Sequence, residues 1–558
     1  METLKKPDFA AGIMFFSLML AGTFHEYVAC AAGAALAVWL LVKTSRSKNF
    51  KLPVGLTGAA VFCICAFYFL SAFWAVDGGT ALLGGFKFLP VLLFALVLVR
   101  RGECDGLIQA LPYVSAAFTV VSGIGMFIPF AEPVFAVNGR LGGSFQYPNA
   151  FAMLLLLSII VSMSRDKHGV LDLCVLAVLF AGLFLTGSRA VFVLAFVCVS
   201  VMLFVTKDKK LKIGIPALAV LSALAALAYV LISGDKTIVE RITSISFSES
   251  TFVGRLLYWR DALPVVAKHP FGTGYLGYYY LQQSIQTGLY SVRYAHNDLL
   301  QLALDVGWAP CLLFIAAFAK RIFSKKTELY KKIALSAALL HLAFDFDLQF
   351  IGYFFVLLLF LDPCADKARV FSGKKGLRAF AAGACAALFL YFGAAQGLQR
   401  FGASAAALKM YPGLTQARID LLVAETDAGE MDRIAQEIIG RNEYVSAAYS
   451  ARARCAFSAG DIESMINYKH KIFEIAPYAY DEYEEYCRML IHARTLYLQA
   501  GDENSARYCL KEMVFARDSL AGLEERTSRF GKLIKDQAQT VLPDEITRYI
   551  DRAEAGNG

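Results

Sequence analysis

From residue 9 to about residue 395, apolar runs of membrane-spanning length alternate with short charged or turn-rich breaks. A helical run of roughly 20 apolar residues matches the ~30 Å hydrocarbon core of a bilayer. A bilayer accepts only backbone whose polar groups are satisfied internally. The runs therefore predict an all-α, polytopic membrane region of about thirteen spans: 9–23, 27–43, 54–75, 81–99, 107–129, 146–163, 170–187, 189–206, 213–232, 298–319, 333–346, 349–361 and 379–395. Two pairs are cramped, 170–206 around "LTGSRA" and 333–361 around "DFDLQF", and either also reads as re-entrant. At 57% hydrophobic and 18% charged, the chain carries less charge than the ~25% of an ordinary soluble protein.

Orientation follows from Lys and Arg in the loops. With a cytoplasmic N-terminus, the inner segments hold 25 Lys and Arg and the outer ones 8, six of these in 233–297. An odd number of spans then puts the C-terminal region outside. The "KK" and apolar run within residues 1–25 imitate a signal peptide, but a second span follows at once, so an uncleaved helix is expected. The net charge of +8 divides into +13 for 1–394 and −5 for 395–558. The excess is the topology rule at work, and no nucleic-acid partner is expected. Most of the twelve cysteines lie in apolar spans (Cys30, Cys63, Cys65, Cys174 and Cys198 among them), with no CxxC and no zinc-type Cys/His spacing. They read as small apolar filler.

Residues 1–395 thus form the membrane domain and 396–558 an extracytoplasmic one. The segment 233–297 is one large extracytoplasmic loop, and loops beyond about fifteen residues are usually functional. Within it, "GRLLYWRDALPVVAKH" predicts an amphipathic interfacial helix with Leu256, Trp259, Leu263 and Val266 on one face, preceded by Gly254 and stopped by Pro270. "PFGTGYLGYYY" and "YSVRYAHND" follow. In the last region, "AFSAGD" (456–461) and "YLQAGD" (497–502) recur at an interval of 41, each ending one helix and starting another. This resembles tetratricopeptide-like helical pairs with a period longer than the usual ~34 residues, suited to a protein partner. His470 and His492 read as ordinary surface or core residues.

The charged residues predicted at outer membrane level are Arg140, Arg189, Arg255, Arg260, Arg293, His296 and Asp305. Such charges cost several kcal/mol on some scales unless they face a cavity or a partner. Arg189, in "FLTGSRAVFVL", would open the eighth span from outside. There free N–H groups and the helix dipole favour an anion, although a snorkelling or capping arginine is the plainer reading. The arginine fork fits phosphate oxygens, and a histidine takes a proton near neutral pH or holds a hydroxyl. Asp77 and Glu132 are isolated, so neither a metal nor a cofactor is expected. His341 and Asp345, one turn apart in an apolar span, read as a buried structural hydrogen bond, with a role in the cavity as the alternative.

Taken in order, "RLGGSFQYPNAFA", "LTGSRA", "GRLLYWRDAL…HPFGTGYLGYY", "YAHNDLLQLALDVGW" and "HLAFDFDLQF" resemble the O-antigen ligase and O-antigen polymerase superfamily over residues 135–362. The resemblance implies a C-type membrane glycosyltransferase fold. It further implies transfer of a glycan from an undecaprenyl-diphosphate carrier to an acceptor hydroxyl, outside the bacterial cytoplasmic membrane, without a metal or nucleotide sugar. By this resemblance Arg189, Arg255 and His296 are catalytic: the arginines hold the donor diphosphate, and His296 orients or deprotonates the acceptor. Arg140, Arg260, Arg293, Asn297 and Asp305 are candidates for substrate binding. Arg260 competes with Arg255 as the loop's arginine. Asn297 either caps the tenth span or touches sugar hydroxyls, with capping favoured. Asp305 either pairs with an arginine across the cavity or is structural. The C-terminal region exceeds what a plain ligase or polymerase needs, which leaves the acceptor open among a glycan, a lipid and a protein. The competing readings are a lipid-linked glycan transporter or flippase, a protein O-oligosaccharyltransferase, and a membrane scaffold that presents the helical repeats.

Overall fold

The structure, a computed structural model, describes residues 8–46, 49–218, 250–372 and 374–556. The described chain is mostly helical, with two small antiparallel sheets. Asn49–Pro53 pairs with Ala368–Ser372, and Ala136–Val137 with Arg140–Leu141. Among the described residues, five helices are long and apolar enough to cross a membrane: Glu26–Lys43, Leu56–Phe73, Gly78–Arg101, Asp105–Gly125 and Lys375–Arg400. Shorter apolar helices are Phe9–Met19, Pro148–Met163, Val170–Thr186, Arg189–Val205 and Ile351–Leu361. Most of the predicted span 213–232 and the start of the loop 233–297 lie outside the described residues.

Two helices form the centre. Every residue of Pro148–Met163 except Asn149 is buried, and every residue of Ile351–Leu361 is buried. A helix apolar on all sides is enclosed by lipid or by other helices, and here the rest of the bundle encloses both. Both start at one end of the bundle, so the residues at their first turns, Asn149 and the segment 343–350, lie at the rim of the packed core. Pro148 suits the first helical position, where no N–H is needed.

The predicted span 298–319 is broken. Asp298–Val306 and Trp308–Phe323 meet at Gly307, whose φ is +84°. The break exposes the carbonyls of Leu304 and Asp305, and "PFGTG" covers them. Thr273 N–H donates to Leu304 O at 2.6 Å, Gly274 N–H to Asp305 O at 3.0 Å, and Trp308 N–H to Pro270 O at 3.1 Å. Irregular backbone at this depth persists because protein donors replace water.

The loop helix runs Ser250–Lys268. Its buried stripe is Val253, Leu257, Ala262, Val265 and Val266, while Leu263 is exposed. Of the expected apolar face, Val266 is buried and Leu256 and Trp259 are half-buried. Val253 and Leu257 pack with Tyr290 and with Ile534 of the C-terminal region.

In that region, Ser446–Ser458 packs on Ile462–Ile475 and Tyr480–Gln499 on Glu503–Ala521. The "AGD" turns explain both hairpins. Gly460 (φ +78°) and Gly501 (φ +75°) close the first helices in the left-handed region. Asp461 and Asp502 then cap the second ones by accepting from Ser464 N–H at 3.0 Å and Ser505 N–H at 3.1 Å.

Candidate functional site

Beyond Leu342 the chain turns through 343–350 and buries Asp345 at 1% exposure. Tyr147 O–H donates to its Oδ1 at 2.7 Å, Asn149 Nδ2 to its Oδ2 at 2.6 Å, and Phe346 N–H to Oδ1 at 3.0 Å. Two cationic-capable groups complete the ring. Arg255 Nη2 lies 3.5 Å from Oδ2 and His296 Nδ1 3.6 Å from Oδ1. Asn149 relays the network outward, its Oδ1 accepting from Arg140 Nη2 at 2.9 Å. Arg140 Nε in turn donates to Thr186 O at 2.8 Å. Three residues on, Arg189 opens the helix Arg189–Val205, half-buried, and Ser188 makes no side-chain capping bond there.

His296 sits at φ +50°, a costly conformation for a residue with a Cβ. Its neighbour Ala295 is held on both backbone groups, the carbonyl by Trp259 Nε1 at 3.0 Å and the N–H by Gln301 Oε1 at 2.9 Å. Trp259 is one turn along the loop helix from Arg255, so that helix positions both groups. Phe346 meets the imidazole edge-on, with centroids 4.9 Å apart. His296 Nδ1 is buried with no hydrogen-bond partner. The 3.6 Å gap to Asp345 exceeds a hydrogen bond.

The other candidates are placed differently. Arg260, five residues from Arg255, lies about 140° around the helix. It faces a cleft of about 540 Å³ bounded by Lys268, His269 and Tyr444. It bonds Thr287 Oγ1 at 2.5 Å beside the buried Asp261. Burial pushes the Asp261 carboxyl up, against the hydrogen bonds from Thr287 and Tyr290. Arg293 donates to Glu26 Oε1 at 2.9 Å. Asn297 caps the helix Asp298–Val306 by accepting from Leu300 N–H at 3.0 Å. Asp305 is fully buried and takes Tyr68 O–H at 2.9 Å and Gln301 Nε2 at 2.8 Å, not an arginine. His341 pairs with Asp347 rather than Asp345, because its helix ends at Leu342.

A second buried network was not anticipated. Lys87 has 0% exposure. Its Nζ donates to Tyr275 Oη at 3.0 Å and Gln349 Oε1 at 3.4 Å, 4.0 Å from Glu26 Oε1. Tyr275 O–H donates to the same Glu26 oxygen at 2.6 Å. Tyr294, 5.2 Å from the Phe346 ring, joins it to the first network. The signal was present in the sequence: Lys87 is a lone charge inside "GGFKFLPVLLFALVLV", a costly placement without a partner.

Residues 174–315 match the family model described as O-antigen ligase. The match supports the O-antigen ligase superfamily, and with the apolar helices it points to a membrane protein with a role like that of a lipid-linked glycan transferase. A comparison with curated proteins finds no match. The matched segment holds Arg189, Arg255 and His296, whereas Arg140, Asn149 and Asp345 lie outside it.

Proposed function

We propose that the chain transfers a glycan from an undecaprenyl-diphosphate carrier to an acceptor hydroxyl at the extracytoplasmic face of the membrane. The observation that carries this reading is one buried carboxylate, Asp345, approached by Arg255 at 3.5 Å and His296 at 3.6 Å. Asp345 fixes the imidazole, and His296 Nε2 takes the acceptor's proton. The acceptor oxygen bonds to the anomeric carbon, and the bond from that carbon to the diphosphate oxygen breaks. The lipid diphosphate leaves with the electron pair, and in-line attack inverts the configuration. Arg255 and Arg189 balance the charge that grows on the leaving diphosphate, an electrostatic role that preorganised cations perform well. The uncapped start of the helix Arg189–Val205 adds N–H donors. An apolar cleft of about 580 Å³ beside Ser144 and Gln146, walled by Phe15, Phe118, Val121 and Phe135, suits the carrier's isoprenoid tail.

The test uses the full-length protein in detergent, where transport cannot be scored. Supplied with undecaprenyl-diphosphate-linked glycan and a saccharide acceptor, it is expected to release undecaprenyl diphosphate. Arg255→Ala and His296→Ala should each slow release roughly 100-fold or more, with helix content unchanged. Release at the wild-type rate from both variants overturns the assignment. Surface glycans of a deletion strain separate the acceptors: shortened chains mean polymerisation, and carrier-linked polymer that accumulates unattached means ligation.

A further inference from the structure

We propose that Cys104, Cys364 and Asp362 form a zinc site at the end of the helix bundle opposite Asp345. Cys104 follows the helix Gly78–Arg101, and Cys364 follows Ile351–Leu361. These helices run side by side in the same direction, with Phe94 and Phe355 stacked at 4.3 Å. At the site end they are joined by Lys87 Nζ donating to Gln349 Oε1 at 3.4 Å. At the other end the two sulfurs lie 3.6 Å apart. A disulfide requires ~2.05 Å. Two thiolates on a tetrahedral zinc, each ~2.3 Å from the metal, lie roughly 3.8 Å apart. The observed separation is close to the second value.

A carboxylate oxygen of Asp362 lies within 4.8 Å of both sulfurs, and it would close on the ion to the ~2.0–2.2 Å of a zinc–carboxylate bond. Asp362 holds φ +46°. It closes the helix Ile351–Leu361 in the left-handed region, as helix ends commonly do, and turns the chain so that Cys364 returns towards Cys104. Cys104 is buried, while Asp362 and Cys364 are half-exposed, leaving a fourth position for water. Thiolates select zinc over the hard cations magnesium and calcium. Binding turns both thiols into thiolates and releases their protons, with no electron transferred. Lys87 is 17 residues from Cys104, roughly 25 Å along a helix, so the ion acts on that network by tying the two helix ends together. It fixes the register of the helices that set Lys87 and Gln349 against each other.

Full-length protein purified in detergent and dialysed is expected to retain about one zinc per chain by elemental analysis. Exchange with cobalt should produce thiolate-to-cobalt absorption in the near ultraviolet. Cys104→Ser and Cys364→Ser should lower zinc affinity at least tenfold, whereas Cys174→Ser, at an exposed cysteine elsewhere, leaves it unchanged. Should the serine variants fail to fold, the wild-type cobalt spectrum decides alone, and absence of the thiolate bands at equimolar cobalt overturns the proposal. So does a Cys104–Cys364 disulfide found by peptide mass, and so does unchanged affinity in folded serine variants.

Discussion

Asparagine at position 345 would keep the shape of the side chain and lose its chemistry. Tyr147 O–H and Asn149 Nδ2 approach different oxygens of Asp345, so an amide N–H2 would face a donor whichever way it turned. Arg255 and His296 would lose the anion that draws them together. We expect Asp345→Asn to lower kcat by roughly 10²–10⁴, the usual range for a disabled general base, with a smaller change in KM, because Arg189, proposed to share the diphosphate with Arg255, is untouched. In the proposed reaction Asp345 acts through His296, so the double variant with His296→Ala should be hardly slower than the worse single variant, the non-additivity of groups that work as a unit. Full additivity of the two losses would show that Asp345 acts independently of the imidazole. Asp305 offers the contrast. Its partners Tyr68 and Gln301 are neutral and buried around it, which assigns it to the packing of the broken helix.

At the scale of elements, that break rests on one residue. A Cβ at Gly307 would stand 2.2 Å from Pro270 O, and the position already holds φ +84°. Gly307→Ala should cost about 2–4 kcal/mol from strain and backbone displacement, read as a lowered unfolding midpoint in detergent and reduced yield, whereas Gly397→Ala, with open space around it, should be neutral. The break also marks where sequence reading reached its limit. Apolar periodicity located the helices because lipid and core impose the same requirement along a whole run. It passed over Gly307 because one glycine in "LLQLALDVGWAPCLLF" does not interrupt the apolar pattern; the partner that stabilises the kink, "PFGTG", lies more than 30 residues earlier. The loop helix was legible from its pattern, but the burial of Val253 and Leu257 was not, because the residue that covers them is Ile534, far along the chain. Order and resemblance singled out Arg255 and His296 as candidates, and the structure brings both to Asp345. Asn149 and Tyr147 were not singled out, since their meeting with Asp345 spans nearly 200 residues. The pairing of Cys104 with Cys364 spans 260.

For the whole molecule, the C-terminal region backs the loop that carries the site. Ser528 N–H donates to Thr287 O at 2.8 Å, and Arg526 Nη2 to Ser284 O at 2.8 Å. Tyr411 O–H donates to Gly79 O at 3.0 Å, and Ile534 closes the cluster over Val253 and Leu257. This docking supports the helix that bears Arg255 and Trp259, so the region serves the site as well as any partner. Gly531 lies at the closest approach, where an added Cβ would meet Thr287 O at 2.4 Å and Gly288 Cα at 2.9 Å. Both are backbone atoms with little room to yield. Gly531→Val should therefore part the contact while the helical hairpins persist, since none of their helices contains residue 531. The expected signature is faster amide exchange over 284–290, unchanged helix content, and glycan transfer reduced about tenfold, equivalent to about 1.4 kcal/mol, as Arg255 loses its fixed position. Faster exchange with full transfer would mean that the loop holds the site without support. Unchanged exchange would mean that the two regions do not meet at Gly531.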